Sequence, residues 1–246
     1  MRIEKFKKTK NGQYELTLID NTTISIHEDL ILKYNLLITK TMDETQKKRI
    51  LKENEIYIAY DKALKYLNAK MRSTNEMNFY LRKQEYDEKI INNVIDKLIG
   101  EKYLDDEKYT LYFINDKIKL SNDGPLKIER ELEQKGINSD IISKHIIKFN
   151  QIIQKEKIEK IIKKQVKNNH NKSSTMLKRK ILDYLINLGY EKNIINTILN
   201  KIYNYDDETI RQKEYEKIYK KLSGKYSGYE LEQRLKQKMY EKGFRY

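Results

Sequence analysis

Apolar residues recur at helical offsets along this chain, and the pattern itself returns four times at a spacing of roughly fifty residues. Each return is an apolar pair four apart, then a tight turn, then a bulky residue. Met77 and Leu81 lead to Glu85-Tyr86, and Ile128 and Leu132 lead to Gly136-Ile137. Ile181 and Leu185 lead to Gly189-Tyr190, and Leu235 and Met239 lead to Gly243-Phe244. After the first three turns come Ile90-Ile91, Ile141-Ile142 and Ile194-Ile195, followed one helical turn later by Val94-Ile95, Ile146 and Ile198-Leu199. Residues three and four apart share a helix face. Each return therefore predicts a helix that stops at glycine or another turn residue, with a second helix starting almost at once.

A longer helix ahead of each pair completes a unit of three. Ile56, Ala59, Tyr60, Ala63, Leu64 and Leu67 form the stripe of the first long helix, and Ser73-Thr74-Asn75-Glu76 is a capping box for the next. Asp105-Asp106-Glu107 opens the second unit, with Tyr109, Tyr112, Phe113 and Ile118 as its stripe. Gly124-Pro125 starts its middle helix, and Asn138-Ser139-Asp140 caps the third. A basic helix from about Gln151 and a cap at Ser173-Ser174-Thr175 repeat the order. Asp206-Asp207-Glu208 opens a last unit that stops at Tyr246 before a third helix, as a terminal cap of an array would.

The leader differs. Arg2 to Lys8, Tyr14 to Ile19 and Thr22 to Ile26 alternate apolar with polar residues, with turn signals at Asn11-Gly12 and Asp20-Asn21. They predict a three-stranded meander, followed by a helix from Glu28 with Leu30, Ile31, Tyr34 and Leu37 on one side. The expected fold is mainly α: tandem three-helix repeats forming an elongated curved array behind a short β-rich segment. The expected boundaries are 1–53 for the leader, then 54–104, 105–150, 151–204 and a partial repeat at 205–246. Arrays of this kind are extended binding surfaces more often than pocket enzymes.

Composition sharpens the picture. Of the 246 residues 38% are hydrophobic and 36% charged, with 8 Gly and 1 Pro. That suits slim helical modules, each burying one stripe, better than a sandwich or barrel. The net charge of +14 points to a polyanionic partner, and the basic residues cluster. The plainer reading of so much lysine is solubility. Binding candidates are Lys127, Arg130 and Lys135 in the second unit, and Lys163, Lys164, Lys167, Lys178 and Arg179 in the third.

Enzymatic signatures are lacking. With no cysteine there is neither a disulfide framework nor a thiolate metal site. His27, His145 and His170 are scattered, and the glycines form no phosphate loop. Asp105-Asp106 and Asp206-Asp207 open equivalent helices, so capping outweighs a magnesium site. No catalytic residue, cofactor or metal is expected. Tyrosines such as Tyr60, Tyr66, Tyr86, Tyr109, Tyr112 and Tyr190 fall on apolar stripes and are expected in the core. Tyr215, Tyr219, Tyr226 and Tyr229 are expected at the surface, where a nucleobase stacks. No apolar run reaches membrane length and the start carries no apolar leader region, which implies a cytoplasmic location. A monomer is expected.

Several fragments in order carry a family resemblance. They are Ala63-Leu64, Tyr66-Leu67, Arg72-Ser73, Glu76 and Leu81; then Leu98 and Tyr103-Leu104-Asp105-Asp106 leading to Tyr109; then Gly124, Ile128, Glu131-Leu132 and Lys135-Gly136-Ile137. On these the chain resembles the RecX regulatory proteins, modulators of the RecA recombinase. The fragments cover about a third of the chain, and the third and fourth units match more loosely. The resemblance implies a curved stack of three-helix repeats lying in the groove of a RecA–DNA filament, blocking its extension or promoting disassembly without chemistry of its own. Single-stranded DNA is a further implied partner. Two other classes stay open: a tandem helix-turn-helix DNA-binding protein, and a helical adaptor for an unrelated acidic partner.

Overall fold

A computed structural model describes residues 1–9, 12–169, 171–202 and 207–245. His170, Asn11, Asp206 and Tyr246 lie outside them. The described residues form three strands and thirteen helices in two compact units. One comprises Met1–Tyr109 with Lys135–Ile137, the other Thr110–Gln134 with Asn138–Tyr246.

In the first unit β1 (Ile3–Lys8), β2 (Gln13–Leu18) and β3 (Thr23–His27) form an antiparallel meander in which Phe6 faces Leu16 and Tyr14 faces Ile26. The second turn closes at Asn21, which adopts φ 64°, while the Asp20 carboxylate accepts from the Thr22 amide at 2.9 Å. Period-two alternation puts Leu16, Leu18 and Ile26 on one buried face. That face packs on α1 (Glu28–Lys33), α2 (Leu36–Thr39) and Ile50 of α3 (Glu44–Ala69). The sequence predicts one helix through Leu37. The chain instead turns at Asn35, φ 50°, so Leu36 is buried and Leu37 is 41% exposed. Helix α3 runs unbroken from the leader into the first repeat. Asn54 on α3 ties the two together: its buried amide accepts from the His27 N–H at 2.8 Å and donates to the Ser25 carbonyl at 2.9 Å.

Behind the leader, α3, α4 (Thr74–Lys83) and α5 (Glu88–Gly100) form the first repeat. Ala59, Ala63, Met77, Leu81, Ile90, Ile91, Val94, Ile95 and Leu98 make its core, with Tyr60, Tyr66 and Tyr86 packed against it. Each fully buried Ile or Leu contributes roughly 1.5–3 kcal/mol. The Ser73 capping box is complete, with its hydroxyl accepting from the Glu76 amide at 3.1 Å and Glu76 accepting from the Ser73 amide at 3.0 Å.

Helix α6 (Asp106–Leu120) follows. Its buried residues are Tyr109, Thr110 and Ile114. Tyr112, expected in the core, is 49% exposed because it lies two residues from both Thr110 and Ile114 and so on the far side of the helix. The second unit continues with α7 (Pro125–Gln134), α8 (Ser139–Ile146), α9 (Gln151–Asn168), α10 (Ser174–Asn187), α11 (Lys192–Ile202), α12 (Asp207–Ser223) and α13 (Gly228–Glu241). Ile158, Ile162, Leu177, Ile181, Leu185, Tyr190, Ile195 and Leu199 are buried around α9, α10 and α11. Leu235, Met239 and Phe244 are buried at the last corner. The tandem three-helix organisation and the β-rich start are as the periodicity predicts.

Candidate binding surface

The four corners share one backbone device. Glu85, Gly136, Gly189 and Gly243 all adopt the left-handed conformation, at φ 64°, 74°, 88° and 84°. The three glycine corners do more than turn the chain. Each seats on the first turn of the preceding repeat's middle helix. The Ser73 hydroxyl donates to the Lys135 carbonyl at 2.7 Å, and a Cβ on Gly136 would stand 2.5 Å from Asn75. The Gly124 amide donates to the Leu188 carbonyl at 2.6 Å, and the Leu126 amide to the Gly189 carbonyl at 3.1 Å. The Ser173 amide donates to the Lys242 carbonyl at 3.0 Å, with Gly243 against the Ser173 hydroxyl.

The acidic pairs serve the same joints. Asp105 caps its own helix, accepting from the Lys108 amide at 2.9 Å. Asp106 instead accepts from the Thr74 amide at 2.8 Å, capping the helix of the preceding repeat. Asp207 does the same for the Ser174 amide at 2.6 Å. The expectation of capping holds, but for Asp106 and Asp207 the capped helix is not their own.

Two of the eight basic candidates are held by this scaffold. Lys135 pairs with Glu76 at 3.4 Å. Burial pushes the Glu76 carboxyl up, but the Ser73 amide and Lys135 outweigh it and hold the group below its ordinary value. Lys127 pairs with Asp123 at 2.6 Å, and Lys117 reaches both Asp123 at 2.8 Å and Glu131 at 2.6 Å. The Asp123 side chain is 10% exposed. Burial raises its pKa, and the hydrogen bonds from the two lysines reverse the shift, leaving it lowered. Lys157, beside this loop, donates to the Ser121 carbonyl at 2.6 Å, and its burial lowers its pKa. Tyr190 closes the same joint, donating to the Asn122 carbonyl at 3.2 Å.

Five of the six remaining candidates stand outward. Arg130 is exposed, its Nε donating to the Leu126 carbonyl at 3.0 Å. Lys163, Lys164 and Lys167 are exposed on the C-terminal half of α9, and Lys167 lies in its last turn, where the helix dipole favours a cation. On α10 Arg179 is exposed and Lys178 half-buried. The outward basic set thus lies mostly on α9 and α10, two helices of one repeat.

Aromatic residues divide as their stripes suggest, apart from Tyr112, Tyr215 and Tyr226. Tyr109 and Tyr190 are buried, and burial is the first cause pushing both phenols up. Tyr219 and Tyr229 are 45% and 77% exposed, whereas Tyr215 is half-buried and Tyr226 lies under Arg234 at 4.2 Å. His145 is half-buried on α8. His27 caps α1, accepting from the Asp29 amide at 3.2 Å. No described helix is long and apolar enough to cross a membrane.

Three-helix units joined by seated corners, with lysines turned outward, define a tandem helical-repeat protein. Known proteins place it further. Residues 59–98 match the model of the RecX first three-helix domain, and residues 105–145 that of the RecX second three-helix domain. A regulatory protein RecX of Halalkalibacterium halodurans is 32% identical over 220 residues, 88% of this chain and 80% of that protein. One of Bacillus cytotoxicus is 30% identical over 189 residues, 77% of this chain and 70% of its own. The crystal structure of RecX from Lactobacillus salivarius superposes with a TM-score of 0.58 at 27% identity, covering 61% of this chain and 97% of that one. Another RecX crystal structure, at 24% identity, shares the fold with a TM-score of 0.71 over 81% of this chain and 98% of its own. The chain belongs to the RecX family of regulatory proteins.

Proposed function

We propose that this protein regulates the RecA recombinase by binding the RecA–DNA filament in its groove, inhibiting extension or promoting disassembly, and so modulates recombination and DNA repair. Family membership carries this reading. The exposed basic residues Arg130, Lys163, Lys164, Lys167 and Arg179 support it, since a groove lined by phosphates and acidic side chains rewards outward cations. A filament is periodic, so successive repeats meeting successive protomers add avidity without one tight site. The protein acts as a cytoplasmic monomer, without catalysis or cofactor, and touches single-stranded DNA within the filament.

The test is a titration of the DNA-dependent ATPase of RecA on single-stranded DNA. Inhibition at substoichiometric protein is expected, because capping one stretch affects many protomers. Inhibition only at DNA-saturating ratios points to a tandem helix-turn-helix DNA binder, and none at any ratio to an adaptor for another acidic partner.

A further inference from the structure

A groove of about 340 Å³ runs between α9 and α11, lined in part by Lys155, Glu159, Ile194, Thr197, Ile198 and Lys201. Ile198 is buried and Ile194 half-buried at its base, while Lys155, Thr197 and Lys201 are exposed at its rim. The first repeat has the same place, and there it is filled. Counted from the left-handed corner residue, Lys201 follows Gly189 by the same number of positions as Lys97 follows Glu85. The buried pair Ile158 and Ile162 on α9 corresponds to Ala59 and Ala63 on α3, which sets Glu156 and Glu159 against Tyr57 and Tyr60.

In the first repeat Lys97 Nζ lies 3.9 Å from the Tyr60 ring centroid and 5.5 Å from that of Tyr57. The Tyr60 hydroxyl donates to the Glu101 carboxylate. That place therefore holds an aromatic ring under a lysine, with a carboxylate at its hydroxyl. The third repeat keeps the lysine and the apolar base, but its tyrosines are replaced by glutamates.

We propose that this groove receives the tyrosine or phenylalanine side chain of an acidic segment on a partner protein. The ring covers Ile194 and Ile198 and stacks under Lys201, an attraction the first repeat already displays between its own residues. Acidic residues flanking the ring meet Lys155 and Lys201. Glu159 does not oppose them strongly, because Lys155 Nζ lies 3.9 Å from its carboxylate. The surrounding repeat is basic as well, since residues 151–204 carry twelve Lys or Arg against four Asp or Glu. The partner is thus defined by an aromatic anchor with acidic flanks, and its binding requires no RecA–DNA filament.

The probe is a fluorescein-labelled peptide with one central tyrosine and three Asp or Glu residues on either side, titrated with the full chain by anisotropy. Saturable binding is expected, weakened about tenfold when the peptide tyrosine is replaced by alanine. Glu159→Tyr, which restores the filler of the first repeat, should weaken it by about as much without weakening binding of labelled oligothymidylate. Equal affinity for the alanine peptide would reduce the effect to charge and overturn the proposal. So would an unchanged affinity in Glu159→Tyr, or a loss confined to oligothymidylate, which would make the groove a nucleobase site. If Glu159→Tyr loses helicity by circular dichroism, Lys201→Glu at its exposed position decides instead. It should weaken the tyrosine peptide more than the alanine peptide, and an equal effect on both would overturn the proposal.

Discussion

Gly189 is seated so closely on Lys127 that a Cβ at Gly189 would lie 2.5 Å from the Lys127 amide nitrogen. Two demands meet at this residue. Its φ of 88° belongs to the left-handed region, which costs a residue with a Cβ roughly 1–2 kcal/mol. The seat itself leaves no room for a methyl group. Lys127 in turn is held by Asp123, so the corner, the helix start and the ion pair form one joint.

Gly189→Ala should therefore destabilise the protein by about 3 kcal/mol, combining backbone strain with forced displacement of main-chain atoms. Urea denaturation measures it. Gly100→Ala is the control: Gly100 lies at the end of α5, and nothing stands within 4 Å of an added Cβ. That change should be neutral or stabilise by about 0.5 kcal/mol.

Ser73 is fully buried, and its hydroxyl both accepts from the Glu76 amide and donates to the Lys135 carbonyl. Ser73→Ala should cost about 2 kcal/mol, because it removes a cap and leaves buried polar groups unpaired. Hydrogen exchange should show the loss first at the start of α4 and at the Lys135 corner. Uniform loss of protection would argue against a local joint.

Asp123→Asn tests the buried ion network. The carboxyl has its pKa lowered in the folded state, so its stabilisation is present above the unfolded-state value of 3.8 and disappears as pH falls through the lowered folded value. At pH 7 the variant should be less stable by about 2 kcal/mol, since Lys127 and Lys117 lose their shared partner. The gap between wild type and variant should close as the pH falls below 3.8. A gap independent of pH would assign the effect to shape and not to charge.

Reversing Lys163, Lys164 and Arg179 to glutamate should weaken filament binding and flatten its dependence on salt, with helicity unchanged. Each phosphate left without its cation lowers the slope of log affinity against log salt by about 0.9 on duplex and about 0.7 on a single strand. Unchanged affinity and slope would make this surface a solubility device.

Local features were readable from the chain alone: the caps at Ser73, Asn138 and Ser173, the corners at Gly136, Gly189 and Gly243, and the apolar pairs that bury each helix. These depend on residues within a few positions of one another, and period and turn chemistry report them directly. The family was equally legible, in ordered fragments of the first two units. Misplaced residues were those whose neighbours break the period, as when the left-handed turn at Asn35 exchanges Leu37 for Leu36.

Tertiary structure decided what depends on distant partners. Lys127 and Lys163 look alike in sequence, yet Lys127 is half-buried and paired with Asp123 whereas Lys163 is exposed. Asp106 stands beside Asp105 but caps a helix that begins more than thirty residues earlier. The groove over Ile198 has Glu159 of α9 across from Lys201, where the first repeat has Tyr60 under Lys97, a comparison that needs the two helices packed. Hydrophobic periodicity encodes which face of a helix is buried, since burial is repaid within each turn. Which charge meets which depends on where the chain returns, and only the packed repeats determine that.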